Sequence, residues 1–419
     1  MTTILYILLA LAVLLLMVLI HEFGHYIVGR MLNFKITEFS VGFGKALFSR
    51  KNKRGETISL RLFPLGGFCA FEGEDEINPN NPDAFTNQAP WKRILVFLAG
   101  VTFNFAAAVI FSAILLCTVG YDIPQVKNQI EFSTTEIVNY VEGSYIDMTS
   151  ELEDIEKLQE GDVILSINGE NIDFAYGTTY QTQYSEEFAK LQQYLADSVG
   201  ELEGEEAVQA EKTAFENYDN FATAVVRRDG EYVEVKLGFY RIEKYDLDSQ
   251  GNKIVLKGED ELPLTDNEGN SIYQTSYYYG WNNFEISAYV HSFGEAVERA
   301  VPFSFGLSWT VLKSLWQMIT FQLDISAVGG PITTISTIAT YAQSNILNLL
   351  ILIPLISANL AVFNALPIPA LDGSHVIFTL IEWIRKKPIK RETENLIHTI
   401  GLFILFGAVI LIDILHFIL

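Results

Sequence analysis

Four apolar runs of membrane length limit what this chain can fold into. They lie near Ile4–Ile20, Ile94–Val119, Ile346–Leu366 and Leu396–Leu419. A helix needs about 20 apolar residues to cross a bilayer core, and each run approaches or exceeds that length. The expectation is an α-helical integral membrane protein with four transmembrane helices. No Lys or Arg precedes the first run, and Arg30, Lys35 and Lys45 follow it. It therefore reads as a retained anchor and not as a signal peptide.

The first run leads directly into His21-Glu22-Phe23-Gly24-His25. This is an H-E-x-x-H pattern. Positions i and i+4 share one helix face, so His21 and His25 can turn their imidazoles toward one ion. Glu22 lies about 100° round the helix, where it could take a proton from a metal-polarised water. His21 is roughly 25 Å along a helix from Ile4, at 1.5 Å per residue. The motif is therefore expected inside the bilayer, near the face opposite the N-terminus. A lone His on an apolar face is usually a core residue, but ionisable groups at membrane depth are costly and functional by default.

Charge sets the expected topology. The loop Leu32–Pro90 carries Lys35, Lys45, Arg50, Lys51, Lys53, Arg54 and Arg61, and a second basic cluster holds Arg385, Lys386, Lys387, Lys390 and Arg391. The positive-inside rule places both in the cytoplasm and the N-terminus outside. Ile58–Leu62 alternates as a strand does. Pro64-Leu65-Gly66-Gly67-Phe68 is apolar and turn-rich. It reads either as an ordinary β-turn or as a membrane-reentrant β-hairpin reaching back to the depth of the motif, which needs protein or a water-filled cavity around it. In the second run, Asn104 is the polar exception. It is read as helix glue or as part of the site.

The net charge of −23 is concentrated in Tyr121–Ala300, which holds 37 acidic and 12 basic residues. Such a surplus argues against nucleic acid as a partner. It fits a solvated extracytoplasmic segment. Leu158–Ile172 reads as turn, strand and turn, and Ala222–Phe239 as a hairpin about Asp229-Gly230. Ser185–Phe221 is Glu-rich and helix-compatible and reads as an insertion without chemistry. Lys244–Asn283 carries turn signals and further strands. The expected division is 1–120 for the first two membrane helices, 121–299 for an inserted extracytoplasmic α+β domain, 300–345 for an amphipathic outer-surface helix and linker, and 346–419 for the last two membrane helices. With two cysteines, Cys69 and Cys117, neither a disulfide framework nor a Cys-based metal site is expected.

After the third run comes Asn364-Ala365-Leu366-Pro367-Ile368-Pro369-Ala370-Leu371-Asp372-Gly373-Ser374-His375. Pro367 and Pro369 break the helix at membrane depth, level with His25. Catalytic zinc commonly has three protein ligands and a water, and Asp372 is the candidate third. His375 is a weaker fourth. The implied chemistry is zinc-assisted peptide hydrolysis with Glu22 as base. A helical membrane substrate must be held extended. The Gly66-Gly67 stretch could do that by strand addition, with Asn364 satisfying freed backbone groups. Pro367, Pro369 and Asn104 are further substrate-contact candidates.

These residues together resemble the bacterial site-2 proteases, in the regulator-of-sigma branch of the intramembrane metalloproteases. H-E-F-G-H, N-A-L-P-I-P-A-L-D-G, P-L-G-G-F and the L-x-x-G-D-x-I-L-S-I-N-G stretch at Leu158–Gly169 carry the likeness across nearly the whole chain. It implies zinc on His21, His25 and Asp372, Glu22 as base, Asn364 in substrate handling, and a PDZ domain outside. It also implies regulated cleavage of single-span membrane proteins already trimmed outside, such as anti-sigma factors and remnant signal peptides, in the bacterial cytoplasmic membrane. The PDZ-like domain would filter by size or bind a peptide terminus. Ser374 and Val101 stand where the family often has Gly and Pro. The rival reading is a non-catalytic membrane receptor that binds peptides through its PDZ-like domain.

Overall fold

Helix α1, Thr2–Met31, is built from residues with high hydropathy and closes at Asn33, which stands at φ +63° while the Phe34 N–H donates to the Gly29 carbonyl at 2.9 Å. The computed structural model describes residues 2–74, 80–129, 140–174, 178–202, 204–257, 262–265, 269–281, 284–320, 322 and 329–418. It divides into two units, Met1–Val119 with Val290–Leu419, and Gly120–Tyr289. After the second unit, a Ser292 capping box starts the next helix of the first unit.

In the first unit α1 is followed by strands β1, Ile36–Lys51, and β2, Thr57–Phe71, then helix α2, Pro90–Thr118. Helix α2 starts at its first-turn proline, earlier than the apolar run suggested. The first part of β1 pairs on one side with the end of β2, Val41 opposite Gly67, and on the other with its start, Val41 opposite Leu60. The end of β1 pairs back onto 57–61. Two long strands therefore make a four-limbed sheet. Gly42 and Gly44, both at φ +85°, allow β1 to bend. The Pro64–Phe68 stretch is a limb of β2 and not the turn, which falls at Asn52–Glu56. Pairing with β1 skips from Phe63 to Gly67, and Gly66 stands at φ +126°, so the chain bends there within β2. Tyr26, Phe34, Phe71, Phe85 and Val96 pack the sheet base onto α1 and α2.

The chain of this unit resumes with α5, Phe293–Ile319, α6, Pro331–Ser344, α7, Leu349–Ala365, α8, Asp372–Arg385, and α9, Arg391–Ile418. Among the described residues, four helices are long and apolar enough to cross a membrane: Ile4–Met31, Pro90–Thr118, Ile346–Ala365 and Arg391–Ile414. Helix α5 packs against α2 and α7, with Ser112 and Ser304 hydroxyls 3.0 Å apart. The stretch read as a linker holds α6. Its N-terminus is capped by Asp413 of α9, which accepts from the backbone N–H of Ile332 and Thr333 at 3.1 and 3.2 Å.

In the second unit, strands run in the order β11-β3-β5-β7-β8, with β3 at Pro124–Gln129, β5 at Val163–Ile167, β7 at Ala222–Arg228, β8 at Glu231–Leu237 and β11 at Phe284–Ala288. A second sheet joins β10, Thr275–Trp281, to β9, Phe239–Tyr245, and to the short β4, Ile146–Asp147. Asn168-Gly169 and Asp229-Gly230 all stand at positive φ, the backbone of tight hairpin turns. The stretch read as an insertion is structural. Helices α3, Tyr180–Val199, and α4, Gly204–Glu216, send Leu191, Leu195, Ala214 and Phe215 into the core beside Ile164, Ile167 and Val226. Its Glu-rich composition hid an apolar stripe at helical spacing. Of the strands read in Lys244–Asn283, Asn283 itself lies outside the described residues.

Candidate metal centre

The H-E-x-x-H residues fall on the last third of α1, where Gly24 lets α2 approach. A Cβ there would stand 2.6 Å from the Ala99 carbonyl oxygen. The next residue of α2, Gly100, makes the room that the two imidazoles occupy. A Cβ on it would lie 2.5 Å from His21 Cε1 and 2.6 Å from His25 Nε2.

Each imidazole is held from behind. His25 Nδ1 donates to the Val96 carbonyl at 2.8 Å, which leaves the lone pair on Nε2. His21 Nδ1 lies 3.3 Å from the side-chain amide of buried Asn104. The Asn104 oxygen otherwise has no partner. Turning the amide lets this oxygen accept from Nδ1 and leaves the His21 lone pair on Nε2. Asn104 thus sits against the first histidine, and Ser357 of α7 donates to its backbone carbonyl at 2.8 Å.

The break after α7 brings in the carboxylate. Asp372 opens α8, where the helix dipole favours negative charge. Gly373 permits the tight return, since a Cβ would meet the Leu366 and Ala365 carbonyls at 2.3 and 2.5 Å. Asp372 Oδ2 lies 2.9 Å from His21 Nε2 and 3.3 Å from His25 Nε2, and the two Nε2 atoms are 3.2 Å apart. Ligands about 2.0–2.1 Å from a tetrahedral zinc are about 3.3–3.4 Å from one another. Oδ2 is buried and makes no hydrogen bond of good geometry. Three electron-pair donors facing one point, one of them orphaned, fit a bound divalent cation.

Glu22 is half-buried beside β2. The Cys69 backbone N–H donates to its carboxylate, and a Cβ on Gly67 would stand 3.4 Å from its Cγ. The Gly66-Gly67 limb therefore reaches the base candidate. Among the described residues, no strand pairs with the other side of residues 67–71. Asn364 is not joined to the three convergent residues by any described hydrogen bond. Its amide donates to Leu360 within α7 at 3.0 Å. Pro367 is exposed, and Pro369 packs on Gly401 of α9.

His375 lies apart from the three, between Phe97 of α2 and His398 of α9, with ring centroids 5.0 and 4.1 Å away. Glu394 is 3.7 Å from it. This second gathering of His375, Glu394 and His398 does not suit one ion. The stacked rings, 10° from parallel, point their lone pairs side by side. His398 Nδ1 is also engaged, accepting from the Ala370 backbone at 2.9 Å.

A family model described as peptidase family M50 matches residues 9–408. The chain is 26% identical to a Campylobacter jejuni protein named "Putative zinc metalloprotease", over 94% of this chain and 88% of that one. It is 28% identical to a Nostoc protein of the same description, covering 95% and 92%. It is 23% identical to the "Regulator of sigma E protease" of Haemophilus influenzae, covering 94% of each.

Proposed function

Because the chain belongs to peptidase family M50, we propose that it is an intramembrane zinc endopeptidase that cuts transmembrane segments of single-span proteins. Remnant signal peptides and anti-sigma factors, first trimmed on the outer side, are the substrate class. The observation that carries this reading is the meeting of His21 Nε2, His25 Nε2 and Asp372 Oδ2 within 2.9–3.3 Å.

His21, His25 and Asp372 hold the metal, and Asn104 and the Val96 carbonyl keep the two imidazoles in the ligating tautomer. When bound, zinc supplies a water of lowered pKa and a Lewis acid for the scissile carbonyl. Glu22 accepts the proton from the attacking water at its carboxylate and delivers it to the leaving amine. The 67–71 limb of β2, as a reentrant edge, holds the substrate extended by strand addition. Asn364 pairs with backbone groups of the unwound substrate, and Pro367 and Pro369 keep α7 from continuing through the cleft. The Gly120–Tyr289 unit acts as an extracytoplasmic PDZ-like gate. The N-terminus lies outside and the cutting site lies near the cytoplasmic face of the bacterial membrane, as the basic loops suggest.

The test is cleavage of a model transmembrane substrate in detergent by wild type and Glu22→Gln. Cleavage by wild type alone is expected. Equal cleavage by both, or none by either with zinc bound, would favour the peptide-binding receptor.

A further inference from the structure

A cationic cleft of about 560 Å³ lies where two of the membrane-length helices begin. Its lining includes Arg93 of α2, Glu382 and Trp383 of α8, Lys386 and Lys387 after it, and Arg391 at the start of α9. Arg93 Nη2 donates to Glu382 Oε2 at 2.8 Å, and the other Glu382 oxygen accepts the Ile389 N–H at 2.9 Å. Arg391 Nη1 donates to Glu394 at 2.6 Å. Both carboxylates are therefore engaged, and four cations outnumber them.

The guanidiniums are not fully satisfied. Arg93 is only 5% exposed, yet its Nε–H has no hydrogen-bond partner among the described residues. The Arg391 Nε–H is buried and unpartnered in the same way. A buried donor left unpaired is costly. Both Nε atoms are closed off from solvent, so the groups that face the cleft are the exposed Lys386 and Lys387 and the partly exposed Arg391. Guanidinium forks match the oxygens of a phosphate.

Position narrows the source of that phosphate. The candidate spans Pro90–Thr118 and Arg391–Ile414 both start at the cleft, so it lies at headgroup level. Trp383, 49% exposed, stands at the same level, as interfacial aromatics do. Basic pockets between membrane helices take lipid headgroups in this way. We propose that this cleft binds the phosphodiester of an anionic phospholipid, with Lys386, Lys387 and Arg391 meeting its oxygens and the buried Arg93 adding charge from behind. Inorganic phosphate shares the chemistry but does not arrive anchored at that depth. Because Arg93 and Glu382 tie α2 to α8, the bound headgroup would brace the helix that opens with Asp372.

The experiment uses the full chain, purified and placed in nanodiscs of phosphatidylcholine doped with phosphatidylglycerol, and read by native mass spectrometry for retained lipid. Wild type should retain phosphatidylglycerol in preference to phosphatidylcholine. Arg391→Gln should bind it about fivefold more weakly, and the exposed pair Lys386→Gln with Lys387→Gln should weaken it by about fivefold per charge removed. The lysine pair guards against a folding defect at Arg391. Equal retention by wild type and variants, or no preference in wild type, would overturn the site. Displacement of the lipid by inorganic phosphate at equal concentration would overturn the lipid assignment.

Discussion

The imidazole of His398 accepts the backbone N–H of Ala370 at 2.9 Å. Ala370 stands at φ +77°, a conformation that costs a non-glycine residue about 1–3 kcal/mol. It lies two positions before Asp372. One turn on along α9, a Cβ on Gly401 would sit 2.3 Å from Pro369. Helix α9 therefore grips the loop that delivers the carboxylate at two points. His398→Leu is expected to weaken zinc retention and kcat together by about 10–100-fold. His398→Asn, whose Oδ1 falls where Nδ1 stood, should recover most of both, while His398→Gln should not. Zinc affinities by chelator competition check this, and equal affinity in all three variants would remove His398 from the account.

Gly100→Ala places a methyl within 2.7 Å of both imidazoles. The ring positions must shift, because the atoms met belong to rings held by Val96 and Asn104. The expected outcome is a folded protein with about 10-fold or greater loss of zinc affinity. Unchanged zinc affinity with unchanged helix content would contradict it.

In the inserted unit, fully buried Asp162 receives two parallel bonds from Arg228, Nε to Oδ1 at 2.8 Å and Nη2 to Oδ2 at 2.7 Å. Removing the cation strands a buried carboxylate, which costs about 3–5 kcal/mol. Arg228→Met should therefore destabilise β5 and β7 by that amount in native-state hydrogen exchange. Replacing both residues with apolar ones of similar volume should recover much of it. Protection unaltered by Arg228→Met would show that the pair contributes little.

Features set by local spacing were legible in the sequence. The i, i+4 histidines need only one helix, and the Asn168-Gly169 and Asp229-Gly230 turns need only two residues that tolerate positive φ. Features set by distant partners were not. Helix α6 is short and rich in Thr and Ile, and its cap comes from Asp413, far along the chain. Nothing near Gly100 announces that two rings will fill the space beside it. His398 lies in the last apolar run, and its partner Ala370 stands in a loop distant in sequence. The Gly66-Gly67 stretch carries turn residues: Gly66 stands at φ +126° where the pairing breaks, while Gly67 pairs with the bent β1, a partner distant in sequence.

The central claim is that one ion is held by the paired imidazoles of α1 and by the carboxylate that opens α8. Its most direct test is the zinc content of the full-length protein purified without chelator, as wild type, Asp372→Ala and Glu22→Gln. The account predicts one zinc per chain in wild type and in Glu22→Gln, and strong depletion in Asp372→Ala. A full complement of zinc in Asp372→Ala would contradict it.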